Sequence, residues 1–297
     1  MKLSIALITW NRCNQLLEAI DSCTRCILPK DVEFIIIDNA STDNTEYAIK
    51  EYFKKNLYPY YYEKMSNNIG AGEGRNIAFA NCHGEYVYFI DDDAYIDVDN
   101  CTDFFQRALL LLDSHPNVMT LTTQIFDLAW KDNRLSNQKP IIDDSLMMCY
   151  MVCGGSHFLR SSFFRDSSPY FPNKYGYEEL QPSLRVFDAG YLNGYTSAIR
   201  VIHNPLVNKW DFSKKNTDVL INEIANQYAI KSSVYPRSVS ILCWIAYTLR
   251  RVIHLNPVYY KECNRVVKRL KRDYYFGKRI KLKTVMYMFS TFGFSIY

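Results

Sequence analysis

The chain has 297 residues, 48% of them hydrophobic and 22% charged, with a formal net charge of +4. This is the make-up of a well-cored globular protein of one large domain, or one domain with an appendage, and excludes a disordered, collagen-like or low-complexity chain. No stretch reaches the ~18 apolar residues of a membrane-spanning helix, no secretory leader pattern opens the chain, and nine cysteines, an odd number, fit reduced thiols in a cytoplasmic protein.

In chain order, Leu3–Thr9 is a continuous apolar run that reads as a buried strand, and residues 14–27 carry Leu16, Leu17, Ile20 and Cys23 at helical spacing. Cys23 and Cys26 form a CxxC pair at the end of that pattern and read as inert helix-end thiols. Val32–Ile37 is a second strand ending at Asp38, and Ser41-Thr42-Asp43 supplies capping chemistry for a helix through Phe53. A third strand is predicted over Tyr58–Glu63, a helix over Ala71–Asn81 and a fourth strand over Glu85–Ile90. Strands alternating with helices predict an α/β fold with a mostly parallel sheet flanked by helices, and such sheets bind ligands beyond the carboxyl ends of their strands.

The next stretch predicts an amphipathic helix over Thr102–Leu112, a strand over Val118–Phe126 and a polar loop over Trp130–Asp144. Two extended pieces, Leu146–Val152 and His157–Leu159, flank Gly154-Gly155; a helix over Glu178–Ala189 closes at Gly190, and Ser197–Ile202 is a last strand. From about Asn216 only helical patterns remain, with Pro236 and Pro257 at helix starts. The expected division is a catalytic unit over 1–214 and a helical C-terminal module over 215–297. Thr248 to Lys283 holds twelve Lys or Arg against two acids, so the module is strongly basic. Its bland reading is a solvated basic face; its functional reading is adsorption to an anionic membrane surface.

The chemistry concentrates at strand ends. Asp91-Asp92-Asp93 follows the fourth strand, and three adjacent carboxylates repel one another unless a cation sits among them. Asp91 and Asp93 share one side in extended geometry, which suits a hard metal bridging carboxylate and diphosphate oxygens; a solvated acidic turn fits the triplet equally well on its own. Thr9, Asn11 and Arg12 stand at the mouth of the first strand, and Asp38 at the mouth of the second. Asn68-Ile69-Gly70-Ala71-Gly72-Glu73-Gly74-Arg75-Asn76 opens a helix, where glycines let backbone amides approach a ligand and Arg75 adds positive charge. The spacing is not the GxGxxG dinucleotide pattern.

These segments, with Ser4–Arg12, Ile35–Asp43 and Gly84–Asp93 in the same order and spacing, resemble glycosyltransferase family 2, whose members have the GT-A fold. The resemblance is strong over residues 1 to about 100 and weaker to about 205. It implies that Asp38 contacts the nucleotide base, with Thr9 and Asn11 lining the same pocket. Arg12, Asn68, Gly70, Arg75, Asp91 and Asp92 complete the expected donor set. It places the DxD motif on Asp91 and Asp93, with Mn2+ or Mg2+ as the cofactor and His203 as a further metal ligand. Tyr177–Arg185 is similar to the family's acidic helix start, which makes Glu179 the general base, with Glu178 and Gly155 on the acceptor side. Glutamate stands where the family has aspartate, and Gln181 takes the second acidic position. His157 receives no role.

The implied reaction is metal-dependent, inverting, non-processive transfer of one sugar from a nucleotide-diphosphate donor, by family frequency a UDP-sugar. The acceptor is a hydroxyl of a glycan, cell-surface polysaccharide or lipid-linked intermediate. A sugar nucleotidyltransferase would open with a glycine-rich phosphate loop in place of Thr9-Trp10-Asn11-Arg12. A catalytically silent scaffold would not need Asp38, Asp91, Asp93 and Glu179 together. No nucleic-acid recognition motif accompanies the basic tail. A cytoplasmic location, peripheral on the inner membrane face, and a homo-oligomer are compatible expectations.

Overall fold

The computed structural model describes residues 1–134, 138–143, 145–174, 176–205 and 217–297, without the side chains of 138–141. The first hundred residues run β1 (Leu3–Thr9), α1 (Cys13–Thr24), β2 (Val32–Asp38), α2 (Thr45–Asn56), β3 (Tyr60–Lys64), α3 (Ala71–Ala80), β4 (Tyr86–Ile90) and β5 (Ala94–Ile96). β2 and β4 are buried along their whole length and β1 nearly so, which is why they read as unbroken apolar runs rather than alternating ones. β3 lies at the sheet edge and is largely exposed. Asp43, the last residue of the expected capping triplet, accepts the Thr45 amide at 3.1 Å, so it supplies the cap from one position before the formal one, Asn44.

There follow α4 (Phe104–Ser114), β6 (Val118–Asp127), β7 (Asp132–Asn133), β8 (Gln138–Asp143), β9 (Leu146–Cys149), β10 (Ser156–Arg160), the short α5 (Ser161–Phe164), α6 (Leu180–Asp188) and β11 (Leu192–His203). The loop expected over Trp130–Asp144 is therefore partly sheet: β7 pairs with β6, and β8 with β9. Polar composition hid these strands, although each pairs with a strand adjacent to it in sequence.

The strand order is β3-β2-β1-β4-β10-β6-β11-β9-β8, with β5 paired to β11 and β7 to β6. β3, β2, β1 and β4 are mutually parallel, β10 is antiparallel to both neighbours, and β11 returns parallel to β6. The result is a mixed, mostly parallel sheet flanked by helices. β11 begins earlier than expected because residues 192–196 pair with β6 and β9; after a bulge between Thr196 and Arg200 its second half pairs with β5 and β6.

The remaining helices are α7 (Thr217–Val234), α8 (Ser240–His254), α9 (Tyr260–Asp273) and α10 (Leu282–Phe292). Pro236 and Pro257 each introduce a short 3-10 turn that leads into α8 and α9. The module boundary expected at 214/215 lies outside the described residues. One apolar cluster joins Met148, Leu180 and Leu184 of the sheet unit to Ile224, Val267 and Met288 of the helices. The Lys281 amide also bonds Asp188 at the end of α6, at 2.7 Å.

Candidate active site

Register sets the donor side. Thr9 and Asp38 are partners across β1 and β2, so both end at the same sheet level. Asp38 is fully buried: its carboxylate accepts the Ser41 amide at 2.7 Å on Oδ1 and the Tyr62 hydroxyl at 2.6 Å on Oδ2. Each oxygen keeps a lone pair for a further donor. Asn11, at a left-handed φ of 53°, accepts the Thr42 amide at 2.7 Å and so pins the two strand mouths together. Tyr62 is a residue here that the sequence reading missed; its hydroxyl reaches Asp38 from the largely exposed edge strand β3.

The acidic triplet divides in three directions. Asp92 turns back into the protein, where it accepts the Thr9 hydroxyl at 2.8 Å and pairs with Arg12 at 2.6 Å. Burial pushes its carboxyl up to about 6 against the pull of Arg12. Thr9 and Asp92, both expected at the donor, therefore spend their side chains on each other. Asp91 and Asp93 meet His203, with one ligand atom of each lying within 4.8 Å of the others. Burial pushes Asp93 up, but the His203 hydrogen bond and the charges of Arg12, His203 and Arg134 outweigh it and hold the carboxyl below its usual range.

β11 delivers His203 by pairing it with Ala94 on one side and Asp127 on the other. Asp127 sits 2.9 Å from His203 Nδ1 and pairs with Arg134, also at 2.9 Å. His203 Nε2 lies 3.3 Å from Asp93, so with an ion at this corner Nε2 would be the ligand atom and Nδ1 would face Asp127. Asp127 is a second missed residue, although it ends a strand as Asp38 does. With two carboxylates and an oriented imidazole, the corner fits a divalent ion of the manganese type.

The residues expected on the acceptor side are organised by Arg75. This buried guanidinium pairs with Glu178 at 2.5 Å, Glu179 at 3.2 Å and Asp91 at 2.8 Å, and donates to the Gly154 carbonyl at 3.4 Å. One rigid, five-donor fork thus links the start of α6 to the mouth of β4. Burial and the neighbouring Glu178 charge push Glu179 up to about 8, with Arg75 opposing. Glu178 Oε2 is buried without a hydrogen-bond partner. A Cβ on Gly154 would come within 2.1 Å of Glu179 Oε1, so only glycine leaves that carboxylate in place. Gly155, the glycine expected here, instead accepts the Asp91 amide at 3.2 Å and bears on the metal corner.

The glycine-rich turn differs from its sequence reading. The Ala71 and Gly72 amides donate to the Lys174 and Asn173 carbonyls at 3.2 and 3.3 Å, so they serve chain packing rather than a ligand. Gly70, at φ 92°, has Lys174 Cα 2.4 Å from a built Cβ; its glycine answers that close approach, and Asn68 shapes the turn by accepting the Gly70 amide at 3.0 Å. His157 lies buried between the Cys153 carbonyl (2.9 Å) and the Tyr170 hydroxyl (2.5 Å), and burial with the Arg75 charge pushes it down to about 3. It is a neutral structural tie. Cys23 and Cys26 are buried with thiols pushed up by burial, as inert thiols should be.

A mixed α/β sheet with these strand-end carboxylates is a GT-A arrangement, and residues 4–151 match the glycosyl transferase family 2 description. The chain belongs to that family. It is 32% identical over 177 residues to the poly(ribitol-phosphate) beta-N-acetylglucosaminyltransferase TarS of Staphylococcus aureus, covering 59% of this chain and 30% of that protein. It is 36% identical over 97 residues to a poly(ribitol-phosphate) beta-glucosyltransferase of Bacillus spizizenii, covering 32% and 15%. The chain thus spans less than a third of the length of these relatives. The structure of S. aureus TarS 1–349 in complex with UDP-GlcNAc aligns with a TM-score of 0.63 at 16% identity, covering 92% of this chain and 80% of that one. A structure of GalNAc-T7 with UDP, GalNAc and Mn2+ aligns with a TM-score of 0.68 at 12% identity, covering 98% and 57%. At such identities the likeness is one of fold.

Proposed function

We propose that this chain is an inverting, metal-assisted glycosyltransferase that moves one sugar from a nucleotide-diphosphate sugar to an acceptor hydroxyl of a glycan, cell-surface polysaccharide or lipid-linked intermediate. UDP is the nucleotide favoured by the ligands named for TarS and GalNAc-T7. The observation that carries the reading is that Arg75 links a buried, proton-hungry Glu179 directly to Asp91 of the Asp91–Asp93–His203 corner.

Asp38 receives the base, and its two donors, Ser41 and Tyr62, fix its orientation. Asp91, Asp93 and His203 would hold a divalent ion, which supplies neutralising charge to the departing diphosphate. Glu179 takes the proton from the acceptor hydroxyl as that oxygen attacks the anomeric carbon from the face opposite the leaving group. Glu178, with its unpartnered oxygen, orients the same hydroxyl or its neighbour. Because the acceptor oxygen itself is the nucleophile, the anomeric centre inverts and no covalent sugar–protein intermediate forms.

The test is a thermal-shift and titration series with UDP-sugars in Mn2+ and Mg2+, on the wild type and on Asp93→Ala. Metal-dependent UDP-sugar binding in the wild type, lost in the variant, is the expected result. Equal metal-dependent affinity in both proteins removes Asp93 as a ligand, and no nucleotide binding at all removes the reading.

A further inference from the structure

Helix α8 turns its apolar side to solvent. At 100° per residue, Ile241, Ile245, Leu249, Val252 and Ile253 fall on one arc with Trp244 at its margin. Ile241 is 63% exposed, Trp244 52% and Ile253 70%, whereas a surface helix of a globular domain normally places such residues inward. Only Cys243 and Tyr247 are buried, on the opposite side. Tyr247 secures the helix by stacking on Tyr228 at 4.1 Å and donating to Asn264 Oδ1 at 2.6 Å. No charged residue interrupts the outward arc.

We propose that α8 is an in-plane membrane helix that seats this chain on an anionic lipid surface. Its 15 residues give a rod of ~22 Å, short of the ~30 Å hydrocarbon core, and no helix among the described residues is long and apolar enough to cross a membrane. A helix of this kind lies flat at the headgroup boundary. The surrounding charge selects the occupant. Residues 248–283 hold twelve Lys or Arg against two acids, and Arg251 and Tyr247 tie α8 to α9 through Asn264. α9 exposes Lys261, Arg265, Lys268 and Arg269 beside that junction. A second copy of the chain would bring a second cationic set against the first, whereas anionic headgroups complement it. Trp244, half exposed at the margin, suits the headgroup level. This proposal uses only the helical module and stands apart from the sugar-transfer reading.

The experiment is co-sedimentation of the full chain with vesicles of phosphatidylcholine plus phosphatidylglycerol, and of phosphatidylcholine alone. The wild type should sediment with the anionic vesicles, with binding weakened by added salt. The triple variant Ile245→Ser, Leu249→Ser, Val252→Ser changes only exposed side chains and should reduce partitioning by about tenfold or more, with donor turnover in solution unchanged. Trp244 fluorescence should shift to the blue on vesicle addition, and Trp244→Phe should remove that change, which keeps the test decisive should the triple variant unfold. Equal sedimentation of the variant and the wild type, or equal binding to neutral vesicles, overturns the proposal. So does a self-associated chain that ignores vesicles and is dispersed by the same substitutions, because the face then belongs to a second copy.

Discussion

Two acidic clusters, joined through Arg75 and Asp91, behave in opposite ways. Around Asp93, Arg12 at 2.8 Å, the His203 hydrogen bond at 3.3 Å and the nearby Arg134 outweigh burial and hold its proton affinity down. Around Glu179 the ratio reverses, since Glu178, Glu179 and Asp91 share the single guanidinium of Arg75. Residue type is nearly the same in both places. Burial raises both carboxyls; the positive groups around Asp93 outweigh it, which suits charge neutralisation, whereas at Glu179 burial and the Glu178 charge prevail over Arg75, which suits proton transfer.

The largest expected effect sharpens the second half of that contrast. Glu179→Gln should lower sugar transfer by roughly 10²–10⁴-fold while nucleotide-sugar affinity stays near wild type, read from steady-state product release and donor titration. Near-normal turnover would move the base to Glu178. The first half is tested by Asp127→Ala, which removes the carboxylate beside His203 Nδ1. Metal affinity should drop about 10–100-fold with nucleotide contacts untouched, measured by Mn2+ titration. An unchanged affinity would mean that His203 plays no part in holding the ion.

The mildest change is in pH dependence. Burial and Glu178 raise Glu179 to about 8, so below that pH it carries a proton and cannot accept one. The transfer rate should therefore climb about tenfold per pH unit from acid and level off above pH 8. Stability carries the opposite sign: the folded chain keeps a proton that the unfolded chain loses near the ordinary value of about 4.3, so stability declines as pH rises between the two. Glu179→Gln should flatten that decline in thermal melts, and a profile identical to wild type would place the titration on another group.

The first hundred residues were open to reading because β1, β2 and β4 are buried on both faces, so each of these apolar runs ends where a polar residue at a strand mouth begins. Thr9, Asp38 and Asp91 follow from that rule alone. The same rule applied to β6 would have found Asp127, which ends Val118–Asp127 as Asp38 ends β2. Tyr62 and Gly154 were less accessible. Tyr62 matters through a hydroxyl reaching Asp38 from an edge strand, and Gly154 through a side chain twenty-five positions later, and neither contact is written in local pattern. Gly70 and Gly72 misled for a related reason: close approach was correctly inferred, but the approaching group is the chain at 171–174 rather than a phosphate.

The bulge in β11 turns chain length into a functional variable. Thr123 and Gln124 are consecutive on β6, yet their partners on β11 are Thr196 and Arg200, so the intervening residues set the phase of everything that follows. Sliding that phase by one position would swing the His203 imidazole to the other side of the sheet without altering a single charge. Ser197 and Ala198, both exposed, are free to vary in identity. The number of residues between those two anchors is what natural variation should conserve.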